Sequence, residues 1–413
     1  MDPARARRAI EHGSAADPPT RRGRNNVGVA ANPGVLRASR SVPRCRSRLL
    51  ASVVVAGLVA VGCGGTHGRG APSTDPVVRQ AKADVARALA PPTGYRGPAW
   101  GPRAQRPGLV VFVAGDLTNG GIAGVARGVQ QAVRVIGWQL LVLDGGGTTA
   151  GQAAALRAAL RLKPIGIVLG GFDAAAQRLS LRRARALSIP VVGWHAGTRP
   201  GPDRYAGLFT NVSTDPASVA RLAADYAIAR SGGTAGVVIF TDRRYPIAAD
   251  KADVMAAQIR RCRRCSVLDI VNSPINLAQQ QMPAIASSLL HRFGSRFRYM
   301  LTINGIYIGG ALAAFVNAGR HGDDPPFAIG AGDGDASDFE RIRTGDHQTA
   351  TIAEPLYLQG WQIVDELNRA RAGQPPSGYV APPRLITRAD VPAGVVFDPP
   401  SGARANYRRI WGR

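Results

Sequence analysis

Two thiols at a fixed short spacing are the most reactive pattern in this chain: Cys262-Arg263-Arg264-Cys265. Such a pair can close a local disulfide, supply half of a zinc site, or act as a redox couple. In an oxidising compartment the disulfide is the default. A zinc site needs two more ligands at suitable spacing, and none lies nearby. A thioredoxin-like couple opens a helix after a strand, whereas this pair ends a helical stretch ahead of an apolar run at residues 267–271. Free thiols, or a redox or metal role, stay open as alternatives. Enzyme chemistry finds little support. Asp144-Gly145-Gly146-Gly147 follows the second strand rather than the first and lacks the G-x-G-x-x-G phosphate cradle, and neither a G-x-S-x-G elbow nor an H-E-x-x-H helix is present. The expectation is a binding protein that is not an enzyme, with no cofactor and no metal.

A third cysteine carries a different chemistry. Arg44, Arg46 and Arg48 precede the apolar run Leu49 to Val61, which is too short for a comfortable bilayer span and reads as a secretory signal. The run ends in Ala60-Val61-Gly62-Cys63, small residues before a cysteine, similar to the lipobox of bacterial lipoproteins. Cleavage there would leave Cys63 lipidated at a new N-terminus, so the chain is expected to be exported and held to a membrane by that lipid, facing periplasm or cell exterior. Residues 1–43 read as a disordered or misassigned leader, residues 44–63 as the signal segment, and Cys45 would leave with it. An ordinary buried helix is the plain alternative for the apolar run.

The formal charge of +25 raises a nucleic-acid role, since basic faces neutralise phosphate. The distribution argues against it. Lys82, Lys163 and Lys251 are the only lysines, and residues 1–48 alone hold eleven arginines against three acids. No basic recognition helix or arginine and aromatic pattern stands out, so no nucleic-acid partner is expected.

Positioning any site falls to the body after the leader, long enough for two lobes with cores of their own. A short helix at residues 76–89 leads into Pro91, Pro92, Gly94, Gly97, Pro98, Gly101 and Pro102, a density of breakers that reads as a tether over residues 64–106. From Leu109 onward apolar strands alternate with helices. Ile122, Val125, Ala126, Val129, Ala132, Val133 and Ile136 recur at three- and four-residue steps, one apolar helix face. Strands are predicted at residues 110–113, 139–143, 165–169 and 189–194, and the alternation restarts after Asn211 with strands at 236–240, 267–271, 299–303, 327–330, 348–352 and near 384–387. Two parallel sheets are more economical than one very wide one. The fold class is therefore α/β.

These stretches resemble the type I periplasmic solute-binding proteins, the ribose- and galactose-binding group that serves ABC importers. The resemblance rests on VVFVAGDLTNGGIAGVARGVQQAVRVIGWQLLVLDG, IGIVLGGFDA, IPVVGWHAG, LTINGIYIGGALAAF, AIGAGDGDASDFERIRTG and TATIAEPLYLQGWQIVDEL, in the family's order. It implies two Rossmann-like lobes joined by a three-crossover hinge: residues 107–212 with 354–387 in the first, 213–353 in the second, and 388–413 as a C-terminal tail. It further implies a monomer that captures a small sugar or polyol and hands it to an ABC permease and its ATPase. Sensing through a kinase or chemoreceptor, or an amine-bearing ligand, are the alternatives.

The resemblance places ligand contacts at Asn119, Ile122, Phe172, Trp194, His195, Asp250, Lys251, Asn304, Asp333 and Glu354, all at or after C-terminal strand ends. Several depart from the family. Relatives carry an aromatic at Ile122, an aspartate and arginine where His195-Ala196 stands, and glutamine at Glu354. Each residue also has a plainer role: Trp194 as core, Phe172 as a helix-start staple, His195 as a satisfied loop histidine, Asn304 as a helix cap, Asp333 as a turn residue and Lys251 as a solvated surface lysine.

Overall fold

The computed structural model describes residues 75–90 and 94–413; the leader, the signal segment and Cys63 lie outside them. Helix α1 (Pro76–Leu89) comes first. The first lobe then winds through β1 (Leu109–Ala114), α2 (Gly120–Ile136), β2 (Gln139–Asp144), α3 (Thr149–Arg161), β3 (Gly166–Gly170), α4 (Arg178–Ala186), β4 (Val191–Trp194), β5 (Gly201–Asp203) and β6 (Leu208–Val212). The second lobe follows with α5 (Pro216–Arg230), β7 (Gly236–Thr241), α6 (Pro246–Arg261), β8 (Ser266–Asn272), α7 (Ala278–Phe293), β9 (Tyr299–Thr302), α8 (Ile306–Asn317), β10 (Phe327–Gly330), α9 (Ala336–Thr344) and β11 (Gln348–Ala353). Helix α10 (Leu356–Arg371), β12 (Arg384–Thr387) and α11 (Ala403–Trp411) complete the chain.

Each lobe is built on a six-stranded sheet, in spatial order β2-β1-β3-β4-β6-β5 and β12-β11-β10-β9-β7-β8. The strands run parallel except for β5 against β6 and β12 against β11. Being covered on both faces, they are near-continuous apolar runs: β1 is LVVFVA and β7 is GVVIFT, as buried parallel strands require. In both sheets the first strand lies between the second and third, and crevices at such reversal points, beyond the C-terminal strand ends, are where open α/β sheets bind ligands.

Helix α2 shows how local sequence aims the chain at that crevice. Asn119 caps it, its side chain accepting from the Gly121 and Ile122 amides. Gly137 ends it in the left-handed region at φ 87°, where an L side chain would be strained. Between these ends the apolar face packs with α10 against the first sheet, in a core that includes Phe112, Val129, Trp194 and Trp361.

Four expectations change at the ends of the chain. Strand β12 pairs with β11, so residues 384–387 belong to the second sheet and not to the first lobe. Helix α1 is no tether element: Val78 and Ala81 are buried in the second-lobe core, and α1 packs on α5 and β12. The proline- and glycine-rich stretch lacks regular structure, yet it lies along α10, with the Asn368 amide donating to the Pro102 carbonyl at 2.9 Å and Arg369 to Trp100 at 2.5 Å. The C-terminal tail is helical: α11 stacks Trp411 on Trp361 with ring centroids 5.6 Å apart. Beyond the three inner crossings, the chain therefore passes between lobes once before β1 and once after β12. Cys262 and Cys265, between α6 and β8, are joined by a disulfide.

Candidate functional site

A cavity of about 80 Å³ lies between the lobes. Its walls come from residues that leave the sheets at C-terminal strand ends: Gly115 and Asp116 after β1, Gly171 after β3, His195 after β4, Ile303 and Asn304 after β9, and Asp333 after β10. The lobes touch around it. The start of α2 abuts the β10–α9 loop, and the Gln152 amide of the first lobe donates to the Tyr245 hydroxyl of the second at 3.4 Å.

The floor is a chain of polar contacts. Trp194 donates from Nε1 to Gln359 Oε1 at 2.8 Å, and Gln359 donates to Glu354 Oε2 at 2.9 Å. His195 Nε2 lies 3.1 Å from the same Glu354 oxygen, its ring stacked on Trp194 at a centroid distance of 4.0 Å. Lys251 donates to the Ala331 carbonyl at 3.1 Å and stands 3.9 Å from Glu354 Oε1. Asn304 donates to Asp333 Oδ2 at 2.5 Å while its own Oδ1 accepts from the Ile306 amide. Backbone φ values of 50° at His195 and 61° at Asp333 turn both side chains out of the regular strand direction, a conformation that non-glycine residues adopt rarely.

The two carboxyl groups are displaced in opposite directions. Burial raises Asp333 from 3.8 to about 6; the Glu354 and Asp335 charges add to the rise while His195 and Lys251 oppose it. Burial also works against ionisation of Glu354, but the His195 and Lys251 charges and the bonds from His195 and Gln359 outweigh it and hold that carboxyl well below the usual range. Ligand-capable atoms of His195, Asp333 and Glu354 fall within 4.8 Å of one another, a donor set of the type that holds a metal. The Lys251 ammonium brings positive charge to the Glu354 carboxylate from 3.9 Å, while Glu354 Oε1 is buried without a hydrogen-bond partner among the described residues.

Of the ten expected contacts, seven line the cavity: Asn119, Ile122, Trp194, His195, Lys251, Asn304 and Asp333. Glu354 stands just behind them, fully buried. Two are misplaced. Phe172 is fully buried in the core shared with α3 and α4, because Gly171 at φ 81° turns the chain away from the cleft and itself lines the wall. Asp250 is exposed on α6; one residue is about 100° of helix, so an inward Lys251 sends its neighbour outward. Lys251 is only 4% exposed, which overturns its reading as a solvated lysine. Asn119 caps α2 and Asn304, just before the Gly305 N-cap of α8, accepts from the Ile306 amide, while both line the cavity. Sequence reasoning missed Asp116, Tyr245, Ile247, Ile275 and Ile306; Asp116 and Ile275 follow C-terminal strand ends and were open to that rule.

Residues 110–375 match the model of a family described as periplasmic binding protein domain. No curated protein matches the chain in sequence. Solved structures share the fold. The binding component of the arabinose ABC transporter from Shewanella sp. ANA-3, bound to arabinofuranose, is 16% identical over 73% of this chain and 95% of its own, with a TM-score of 0.60. GanP, a glucose-galactose binding protein from Geobacillus stearothermophilus, is 18% identical over 70% and 100%, with a TM-score of 0.61. A solute-binding protein from Agrobacterium vitis with bound allitol is 19% identical over 69% and 97%, with a TM-score of 0.60.

Proposed function

Because this chain belongs to the periplasmic binding protein family, we propose that it is an extracytoplasmic receptor which closes two lobes on a small neutral sugar or polyol and presents it to an ABC import permease. The observation that carries this reading is the buried Asp333–Asn304 pair facing the interlobe cavity. A carboxylate accepts from adjacent hydroxyls and an amide both donates and accepts, the pattern a polyhydroxylated ligand needs. The sugars and sugar alcohol bound by the structural relatives point the same way.

The charge inventory favours a neutral ligand over an amine. Glu354 is already engaged by His195 and Lys251, which leaves Asp333 and Asp116 as the carboxylates lining the cavity, and Lys251 would repel a ligand cation across the same small space. Contacts from both lobes favour the closed form by as much as the ligand binds it better. In this reading the protein is a receptor without catalysis, works as a monomer, and is tied to its membrane through lipidated Cys63. Among the described residues no helix is long and apolar enough to cross a membrane.

A thermal-shift screen of pentoses, hexoses, polyols and small amines tests the proposal, since a ligand that binds only the native state raises the melting temperature. A shift with a sugar or polyol that disappears in Asp333→Ala, with the variant still folded, supports it. A shift confined to amines, or unchanged affinity in Asp333→Ala, overturns the ligand class or the site.

A further inference from the structure

Positive charge collects at the end of the second lobe opposite the cleft. Strands β7, β8 and β9 begin level with one another, Gly236 pairing with Ser266 and Val237 with Tyr299, so the loops that lead into them share one face. These loops are bonded to one another's strands: the Ser266 amide donates to the Ala235 carbonyl at 2.8 Å and the Arg298 amide to the Gly236 carbonyl at 3.0 Å. Residues 260–264 hold four arginines, residues 292–298 three, and Arg230 adds another, while residues 230–236, 260–266 and 292–298 contain no aspartate or glutamate. Each of these arginines is exposed. The Cys262–Cys265 disulfide encloses two of them, Arg263 and Arg264, in a short closed turn.

Some of this charge is used within the lobe. Arg230 lies over Phe327, Arg296 over Phe293, Arg292 pairs with Asp269 and Arg261 bonds Gln258. Arg260, Arg263, Arg264 and Arg298 have no ion pair and no side-chain hydrogen bond among the described residues. Asp75, which caps α1, and Asp323 and Asp324 in the loop before β10 offset part of the charge.

The chain enters the fold at the same end. Helix α1 starts beside two of these loops: a Cβ placed on Gly233 would stand 2.6 Å from Val78 and 3.7 Å from the Cys262 sulfur. Asp75 follows Cys63 by twelve positions, an extended reach of at most about 40 Å, so an acyl group on Cys63 would keep the arginine face close to the lipid headgroups. Resting on the exported, Cys63-anchored reading above, we infer that this face is a membrane-docking surface: the unpaired guanidiniums of Arg260, Arg263, Arg264 and Arg298 bind the phosphates of anionic lipids and seat the second lobe on the bilayer. A guanidinium matches phosphate in charge and geometry. The attraction acts only within a Debye length of the surface, and the short linker supplies that approach.

Sedimentation with vesicles tests this on the mature chain, residues 63–413 with Cys63→Ser, which lacks both the acyl anchor and the arginine-rich leader. Neutral phosphatidylcholine vesicles are compared with vesicles containing about a third phosphatidylglycerol. The expected result is enrichment on the anionic vesicles that disappears at about 1 M salt, where the Debye length is near 3 Å. Arg260→Gln, Arg263→Gln, Arg264→Gln and Arg298→Gln together should lower it about tenfold or more. The same charge loss on the first lobe, Arg178→Gln, Arg182→Gln, Arg183→Gln and Arg185→Gln at exposed positions of α4, should leave it unchanged. No preference for anionic vesicles, or an equal loss in the two variants, overturns the inference. Acylation is read separately, by mass spectrometry of the N-terminal peptide of the membrane-bound protein: an unmodified Cys63 overturns the anchor, while the docking face stands or falls on the vesicles.

Discussion

A Cβ placed on Gly121 would stand 2.4 Å from the carboxylate carbon of Asp333, so the first turn of α2 in one lobe approaches the cavity-lining carboxylate of the other more closely than any side chain allows. Gly121 has an ordinary helical backbone, and alanine there improves helix propensity. Gly121→Ala is therefore expected to leave the free protein as stable as before and to hinder closure. Titration calorimetry should show an affinity loss of about tenfold or more, roughly 1.4 kcal/mol per decade. Unchanged affinity would mean that binding does not require this approach.

Asp333 gives stability a pH dependence of definite sign. Its folded carboxyl titrates at about 6 against an ordinary 3.8, so across that window the native state holds more protons than the unfolded one and stability falls as pH rises. Glu354 works the other way: with its folded pKa depressed, its contribution is full above its ordinary value and is lost only as the solution becomes strongly acid. Urea titrations should show a decline to which Asp338 and Glu366, whose carboxyls burial raises to about 7, also contribute; Asp333→Asn should make it shallower, and the variant should be the more stable protein at neutral pH.

Lys251 and Glu354 are 4% and 0% exposed; removing the Glu354 charge leaves the Lys251 ammonium with the Ala331 carbonyl as its hydrogen-bond partner, whereas removing Lys251 leaves Glu354 its His195 and Gln359 contacts. Glu354→Gln should destabilise by about 3–5 kcal/mol and Lys251→Met by less, while the double variant should recover much of the Glu354→Gln loss. Additive losses in chemical denaturation would show that the two charges do not act as a pair.

Trp411 is 1% exposed, stacks on Trp361 and donates to Asp365 at 2.8 Å. Trp411→Ala should cost about 3–5 kcal/mol, seen as a lower denaturation midpoint. A loss under 1 kcal/mol would demote α11 to a loose tail.

The sheets were legible because parallel strands buried on both faces are short, apolar and punctuated by helices with their own period, as in Val110 to Val113 followed by Ile122 to Ile136. The site was legible to the extent that it follows strand ends: Asn304 and Asp333 lie in the loops just after β9 and β10. Helix phase was the missing quantity at Asp250 and Lys251, where adjacent residues exchange inside for outside. A positive-φ glycine did the same at Phe172. Helices α9 and α11 escaped notice for different reasons. Asp335 caps the nine-residue α9, a signal that glycine-rich surroundings masked. Helix α11, nine residues long with three arginines, reads as surface until the Trp361 platform that receives it is known.

Helix α1 rides on the second lobe and α11 on the first, so two elements far from the cleft are carried on opposite jaws. Any opening motion must change the separation of these two helices, and fluorophores on exposed positions such as Lys82 and Ala405 would convert ligand capture into an optical distance signal without touching a single cleft residue.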